Sequence, residues 1–356
     1  MSRCLITGAA GLIGRHLTNH LLSEGHFVIC CDNLRNGEWH ESWLNHDQVR
    51  LHVMDLTDPS WAFTIAYLGP EVIFHLACAP YEGLSQFCPQ DVTTSTVNAT
   101  INVVTGAVNS GTVKRLVNFS SMSRFGSGRL RTAHVHGPPF TEAFHDTAPE
   151  DVYGAAKVCA ERIVEILCDL HRIEWCHAVP HNVYGEASAP ALADPYRGVI
   201  LIMVNRLLRG LPILIFGDGT QRRAPSYVGD CVGPLARMGF ETGANREVIN
   251  IGAAKHYSIN EIADVVACMF QEVTGRPLPG THQYETPRPC EVKNAFCSVE
   301  KSMRILGYQD RTSLEEGVRK VVEWAVTIAP PGLEPRYLKE FEIARKAPHA
   351  WSQKRM

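Results

Sequence analysis

Along the first 180 residues, short runs of consecutive apolar residues alternate with longer stretches in which apolar residues return every three or four positions. The short runs, at 4–7, 27–31, 49–54, 72–76, 115–119 and 175–179, predict buried strands. The longer stretches, at 11–23, 94–110 and 151–170, predict amphipathic helices. Strand and helix in regular alternation is a βαβ series, so the expected fold class is α/β with a Rossmann-type parallel sheet. Past Pro180 the punctuation changes. Prolines and glycines separate shorter elements at 198–209, 213–216, 247–251, 259–274 and 314–325, which predicts a smaller C-terminal lobe closing over the sheet. The expected division is 1–179 for the dinucleotide-binding domain and 180–328 for a substrate-binding lobe interleaved with it. Residues 329–356, with adjacent prolines and a basic end, are expected to form a loosely attached tail.

The turn after the first strand is the most specific local signal. Gly8, Gly11 and Gly14 form a GxxGxxG loop between strand and helix, in which glycines permit a sharp turn, close approach of backbone to a pyrophosphate, and tight packing of helix on sheet. The helix N-terminus then offers free N–H groups to phosphate. The second strand ends at Asp32, close to the spacing at which a carboxylate holds ribose hydroxyls. A 2′-phosphate would meet that carboxylate as like charge, so NAD is expected rather than NADP, with Arg35 three residues on as the one feature pulling the other way. Asp55 closes the third strand where adenine would lie, or caps the next helix.

Composition narrows the classes. The 356 residues carry a formal net charge of −3, with 45% hydrophobic and 20% charged residues, as in an ordinary soluble protein. The basic patch of a nucleic-acid binder is missing, and no apolar stretch is long enough for a membrane helix, so neither partner is expected. The N-terminal residues have no charged segment followed by an apolar one, which points to a cytoplasmic location. Twelve scattered cysteines without a CxxC pair, among them Cys4, Cys30, Cys78, Cys159, Cys168 and Cys268, are expected as reduced core residues. The pairs His16/His20, His134/His136 and His177/His181 each lack a matching second pair, and no metal site is expected.

Two features after the fifth strand carry chemistry. The strand ends in hydroxyls, Asn118-Phe119-Ser120-Ser121-Met122-Ser123, and a helix then presents Tyr153 and Lys157 one turn apart on one face. An ammonium and a cationic nicotinamide would both favour phenolate, making Tyr153 a base near neutral pH, with Ser121 steadying a substrate hydroxyl and Lys157 bonding the nicotinamide ribose.

With these residues the chain resembles the extended short-chain dehydrogenase/reductase family, in its nucleotide-sugar epimerase and dehydratase branch. The resemblance spans roughly residues 3–325, through GAAGLIG, CDN at Asp32, FHLA before Cys78, Asn98 in the fourth helix, FSSMS, YGAAK, PHNVYG from Pro180, IFGDGTQRR and PRPCE. It implies that Gly8, Gly11, Ile13, Gly14, Asp32, Asn33, Asp55, Leu56, Ala77, Asn98, Tyr153, Lys157 and Pro180 contact NAD. It implies that Ser121, Tyr153 and Lys157 are catalytic, and that Ser123, Asn182, Arg223 and Arg288 hold a nucleotide-diphosphate sugar. A homodimer built on the helices of Asn98 and Tyr153 is implied as well. The departures are informative. Met122 and Ser123 stand where dehydratases carry an Asp-Glu pair and where other branches carry Glu or Cys. Val179 and Ala224 replace a usual Arg and Asp, which puts fine substrate positioning in question, and residues 127–137 look like an insertion. The expected function is an NAD-dependent nucleotide-sugar 4-epimerase working through a 4-keto intermediate. The alternatives are another nucleotide-sugar oxidoreductase or epimerase on the same fold, and a dinucleotide-sensing protein without catalysis.

Overall fold

Strand β1 (Arg3–Thr7) sends Cys4 and Ile6 to one face and Leu5 to the other, and all three are fully buried. A strand covered on both faces has no polar side, which is why its sequence reads as a continuous apolar run. In the computed structural model, which describes residues 1–128, 137–142, 147–328 and 340–352, β1 sits inside a seven-stranded sheet. It pairs in parallel with β2 (Phe27–Asp32), and β2 with β3 (Val49–Val53). On its other side follow β4 (Val72–His75), β5 (Arg115–Phe119) and β6 (Glu174–Pro180), all parallel. The far edge is the strand Val248–Ile251, which pairs with β6 although it comes from well beyond Pro180 in the chain. The fold class is therefore α/β with a Rossmann-type sheet, and its strand order reverses between β1 and β4.

Helices cover both faces. α1 (Leu12–Ser23) packs with the helix Val228–Arg237 over the face carrying Cys4 and Ile6. On the other face lie α2 (Trp61–Leu68), an element the sequence reading did not anticipate, and a long helical stretch. That stretch begins as α3 (Pro89–Thr93), passes through a π turn at Thr94–Asn98, and continues as α4 (Ala99–Ser110), which packs against α5 (Val152–His171). A separate core forms where the helices Val199–Leu208, Ile259–Thr274 and Leu314–Ile328 meet around Val204, Ile262 and Val318. The middle helix starts with a capping box: Ser258 Oγ accepts from Glu261 N at 3.1 Å, and the Glu261 carboxylate accepts from Ser258 N at 2.6 Å.

Two expectations need correction. The C-terminal residues 340–352 are not a loose tail: Ala350 and Trp351 are 2% and 3% exposed, packed against the segment that follows β4. Cys159 and Cys268 are exposed rather than in the core, because each falls on the outer side of its helix, whereas Cys4, Cys30 and Cys168 are buried and Cys78 is half-buried. Of the histidines in the described pairs, His16 Nε2 bonds the Glu186 carbonyl, His20 stands beside Glu24, His177 beside Glu165 and His181 beside Asn250. His134 and His136, most of the 127–137 insertion, and residues 329–339 lie outside the described residues. No helix among the described residues is long and apolar enough to cross a membrane.

Candidate active site

A cleft of about 510 Å³ is lined by Gly8, Asp32, Asp55, Ala77, Ser121 and Pro180, each at or just past the carboxyl end of a different sheet strand. This is the crevice at which open parallel sheets bind ligands, and here it includes the β1/β4 reversal. The glycine loop fits a pyrophosphate on steric grounds. A Cβ on Gly8, whose φ is +71°, would lie 2.9 Å from Ala77 N, and one on Gly14 would lie 2.2 Å from Gly8 O. Larger residues would push loop, strand and helix apart. Gly11 occupies the N-cap of α1 and no side chain caps that helix, so its first N–H groups remain for an anion. Asp32 is anchored by backbone donors, Ala10 N to Oδ2 at 3.0 Å and Leu34 N to Oδ1 at 2.8 Å. Burial pushes its carboxyl up, against the pull of those two N–H groups. Arg35 lines the cleft as well, yet its guanidinium bonds Asp91 at 2.9 Å. Asp55 lines the cleft and accepts from Thr57 N and Oγ1 in a local turn, and it does not cap the next helix, whose N-cap is Ser60. Ile13, Asn33 and Leu56 are in the lining too.

At the other side of β4 the cleft meets α5. Asp151 starts this helix by accepting from Gly154 N at 2.7 Å, which puts Tyr153 and Lys157 on the face toward the cleft. Lys157 Nζ donates to Phe119 O at 2.6 Å and lies 5.8 Å from the Tyr153 ring centroid. One turn further, buried Glu161 accepts from Arg124 Nε and Nη2, both at 2.9 Å, and from the Ser120 hydroxyl. This network fastens the end of β5 to α5, and with it the Ser121–Tyr153 spacing. Burial pushes the Tyr153 phenol well above its usual value, and neighbouring Cys78 adds to the rise, while the Ser121 hydroxyl bonded to it pulls down. The preference for phenolate is expected from Lys157 together with a bound cationic nicotinamide, and in the protein alone burial sets the direction.

The far end draws on distant parts of the chain. Asn182, with φ of +42°, donates to Met122 Sδ at 3.3 Å. Arg223 and Arg288 come together on one carboxylate: Arg288 bonds Glu291 at 3.1 and 2.7 Å, and Arg223 approaches it at 3.3 Å. Burial pushes the Glu291 carboxyl up, but the Arg288 guanidinium prevails and holds it below the usual range. Two sequence candidates are not brought to the cleft. Asn98 is exposed, because the π turn adds a residue to the helix and rotates Ser95 and Ala99 into the lining instead. Ser123 is buried beneath the cleft, its N–H donating to Ser121 Oγ at 3.2 Å, so it supports Ser121 from below. Val179 and Ala224 are fully buried and do not themselves line the cleft, although their chain neighbours Pro180, Arg223 and Pro225 do.

These features agree with what known proteins of similar sequence show. The family model described as NAD dependent epimerase/dehydratase family matches residues 4–252. The chain belongs to this family. It is therefore an NAD-dependent protein of a family of nucleotide-sugar epimerases and related enzymes. Among relatives, a UDP-glucose 4-epimerase of Mycolicibacterium smegmatis is 31% identical over 329 residues, covering 90% of this chain and 98% of its own. A UDP-N-acetyl-alpha-D-glucosaminuronate decarboxylase of Bacillus cytotoxicus is 27% identical over 348 residues, with 90% and 97% covered. The solved UDP-glucose 4-epimerase of Thermotoga maritima, with UDP-glucose, superposes with a TM-score of 0.78 at 27% identity, covering 91% of this chain and 98% of that one.

Sequence reading missed part of this epimerase-family cleft. Cys78, Glu82, Tyr196, Arg197, Phe216 and Glu291 all line it. Glu291 was within reach, since it closes the PRPCE motif that supplied Arg288. Tyr196 and Arg197 had no signal, because they sit in an irregular segment whose approach to the sheet is a tertiary event.

Proposed function

We propose that the protein is a nucleotide-sugar 4-epimerase with a UDP-linked hexose as substrate. The observation that carries this reading is the close of the cleft around Tyr153: the phenol is bonded to Ser121, and the next two positions of the chain are Met122 and buried Ser123. In this reading Tyr153 Oη takes the proton of the sugar 4-hydroxyl while Ser121 Oγ holds the same oxygen. Lys157, fixed by the Phe119 carbonyl with its Nζ 5.8 Å from the ring centroid, would offer its remaining donors to the cofactor ribose. Bound NAD supplies the hydride acceptor and, from the same molecule, the donor for the return step. Arg223 and Arg288 grip the diphosphate with forked donors, leaving the keto sugar free to turn about its link. Neither Met122 nor Ser123 can act as the acid or base that elimination requires.

The UDP assignment rests on the relatives, which act on UDP-sugars. A homodimer belongs to the same proposal: Ile101 on α4 and Ile166 and Leu170 on α5 are 39%, 57% and 70% exposed, an apolar face across the two helices that a second copy would cover. The deciding experiment incubates the protein with UDP-glucose, UDP-galactose and their N-acetyl and uronate forms, with deuterium on the fourth carbon. Product of equal mass that retains the label, without release of NADH, is the expected result. Loss of water or carbon dioxide, or stoichiometric NADH, would replace the reading by a lyase or an oxidoreductase.

A further inference from the structure

Residues 340–352 lie outside the stretch that resembles the family, yet they pack directly behind the substrate end of the cleft. The segment is fastened at two levels. Glu342 accepts from Gln90 N at 2.7 Å and Asp91 N at 2.9 Å, Ile343 N donates to Phe87 O at 3.1 Å, and Cys88 Sγ donates to Glu340 O at 3.5 Å. Further along, Trp351 enters an aromatic cage, with ring centroids 5.7 Å from both Tyr196 and Phe216 and 6.1 Å from Phe87, at interplanar angles of 85°, 66° and 88°. Edge-to-face packing of this kind fixes orientation as well as position.

Tyr196 and Phe216 turn their other sides to the cleft, and so do Gly83 and Arg288. A Cβ on Gly83 would lie 3.1 Å from Arg288 Nη1 and 3.3 Å from Trp351 Cη2, so the space beside this glycine is closed by guanidinium and indole together. Arg288 is also held over Phe216, its Cζ 5.4 Å from the ring centroid. The indole therefore supports three lining residues, Tyr196, Phe216 and Gly83, without lining the cleft itself, and through Phe216 and Gly83 it also backs Arg288.

We propose that the segment 340–352 is the outer wall of the substrate site, and that Trp351 is a positioning residue: it holds Arg288, Phe216 and residues 80–88 where a nucleotide diphosphate sugar binds, and so sets which nucleotide sugar fits. This rests on the reading of that end of the cleft as the diphosphate-sugar site. The cofactor end, built on β1 to β3, does not depend on it.

The test compares the full chain with Trp351→Ala, Trp351→Phe and Glu342→Ala. Amide hydrogen exchange needs no substrate: Trp351→Ala should speed exchange in residues 80–93 by about tenfold or more while β1 and β4 keep their protection. NAD affinity should stay within about twofold, and KM for whichever UDP-sugar the parent turns over should rise about tenfold with kcat little changed. Trp351→Phe should recover most of both effects. Unchanged protection of residues 80–93, or a fall in kcat at constant KM, would overturn the proposal. Should Trp351→Ala not fold, Glu342→Ala, which removes only the clasp on α3, must loosen the same residues, and its failure to do so would overturn it equally. If the parent acts on no UDP-sugar, the functional reading falls, and the exchange result alone decides the role of the segment.

Discussion

The two ends of the cleft are built on different principles. The end proposed for the cofactor rests mainly on the first 55 residues, with Gly8, Gly11, Gly14, Asp32 and Asp55 at or near the ends of β1, β2 and β3, and the groups it offers are largely backbone or backbone-anchored. The end proposed for the substrate gathers Ser121, Asn182, Arg223 and Arg288 from across the remaining chain, with Trp351 packed behind Phe216, and the groups it offers are side chains held by other side chains. A site made of one βαβ unit tolerates change elsewhere in the protein. A site made by convergence of distant segments is where substrate preference can shift without loss of the fold.

The sharpest test of this contrast lies at the boundary between the two ends. Tyr153→Phe should lower kcat by about 10²–10⁴-fold, the range for a positioned general acid–base, while the melting temperature and NAD affinity stay near those of the parent. Near-normal turnover by this variant would remove Tyr153 from the mechanism. At the cofactor end, Asp32→Ala should weaken NAD by about tenfold to a hundredfold, as for lost hydrogen bonds to a charged group, and narrow the gap to NADP, both read by calorimetry. The parent binding NADP more tightly than NAD would overturn the role given to Asp32. At the substrate end, Arg288→Lys keeps the charge but loses the fork, so KM should rise about tenfold with NAD binding unaffected. Equal loss of NAD affinity would show that the two ends are not separable.

The smallest expected effect concerns Asp151, between the ends. Burial, with Glu82 nearby adding like charge, pushes its carboxyl up from 3.8 to about 7. The folded state therefore holds a proton that the unfolded chain gives up, so this group's contribution is fully present below the unfolded value and is lost as pH rises through the folded one. Asparagine caps a helix about as well as aspartate. Asp151→Asn should accordingly melt a few degrees above the parent at about pH 8 and close to it at about pH 4, in thermal melts at both values. A larger gain at the lower pH would contradict the assignment.

Much of the cofactor end was legible because its cause is local. A glycine loop between an apolar run and an amphipathic helix specifies its own geometry, and the one-turn spacing of Tyr153 and Lys157 needs only a helix to put them on one face. The errors have equally definite causes. Asn98 was misplaced because a π turn, which no residue pattern announced, rotated the helix under it. Ser123 follows Ser121 by two positions in a 3₁₀ turn, Met122–Phe125, that directs it inward. The tail appeared loose because a lone tryptophan among prolines and charges says nothing about a cage assembled from Phe87, Tyr196 and Phe216.

By itself, then, the sequence determined the parallel α/β class, the cofactor loop with its acid, and the tyrosine–lysine face, since each follows from backbone sterics and periodicity within a few tens of residues. Only the tertiary structure decided that Val248–Ile251 completes the sheet, that Arg223 and Arg288 share Glu291, and that Trp351 stands behind them. Those outcomes depend on which distant apolar surfaces bury one another, and side-chain periodicity along the chain carries no record of that choice.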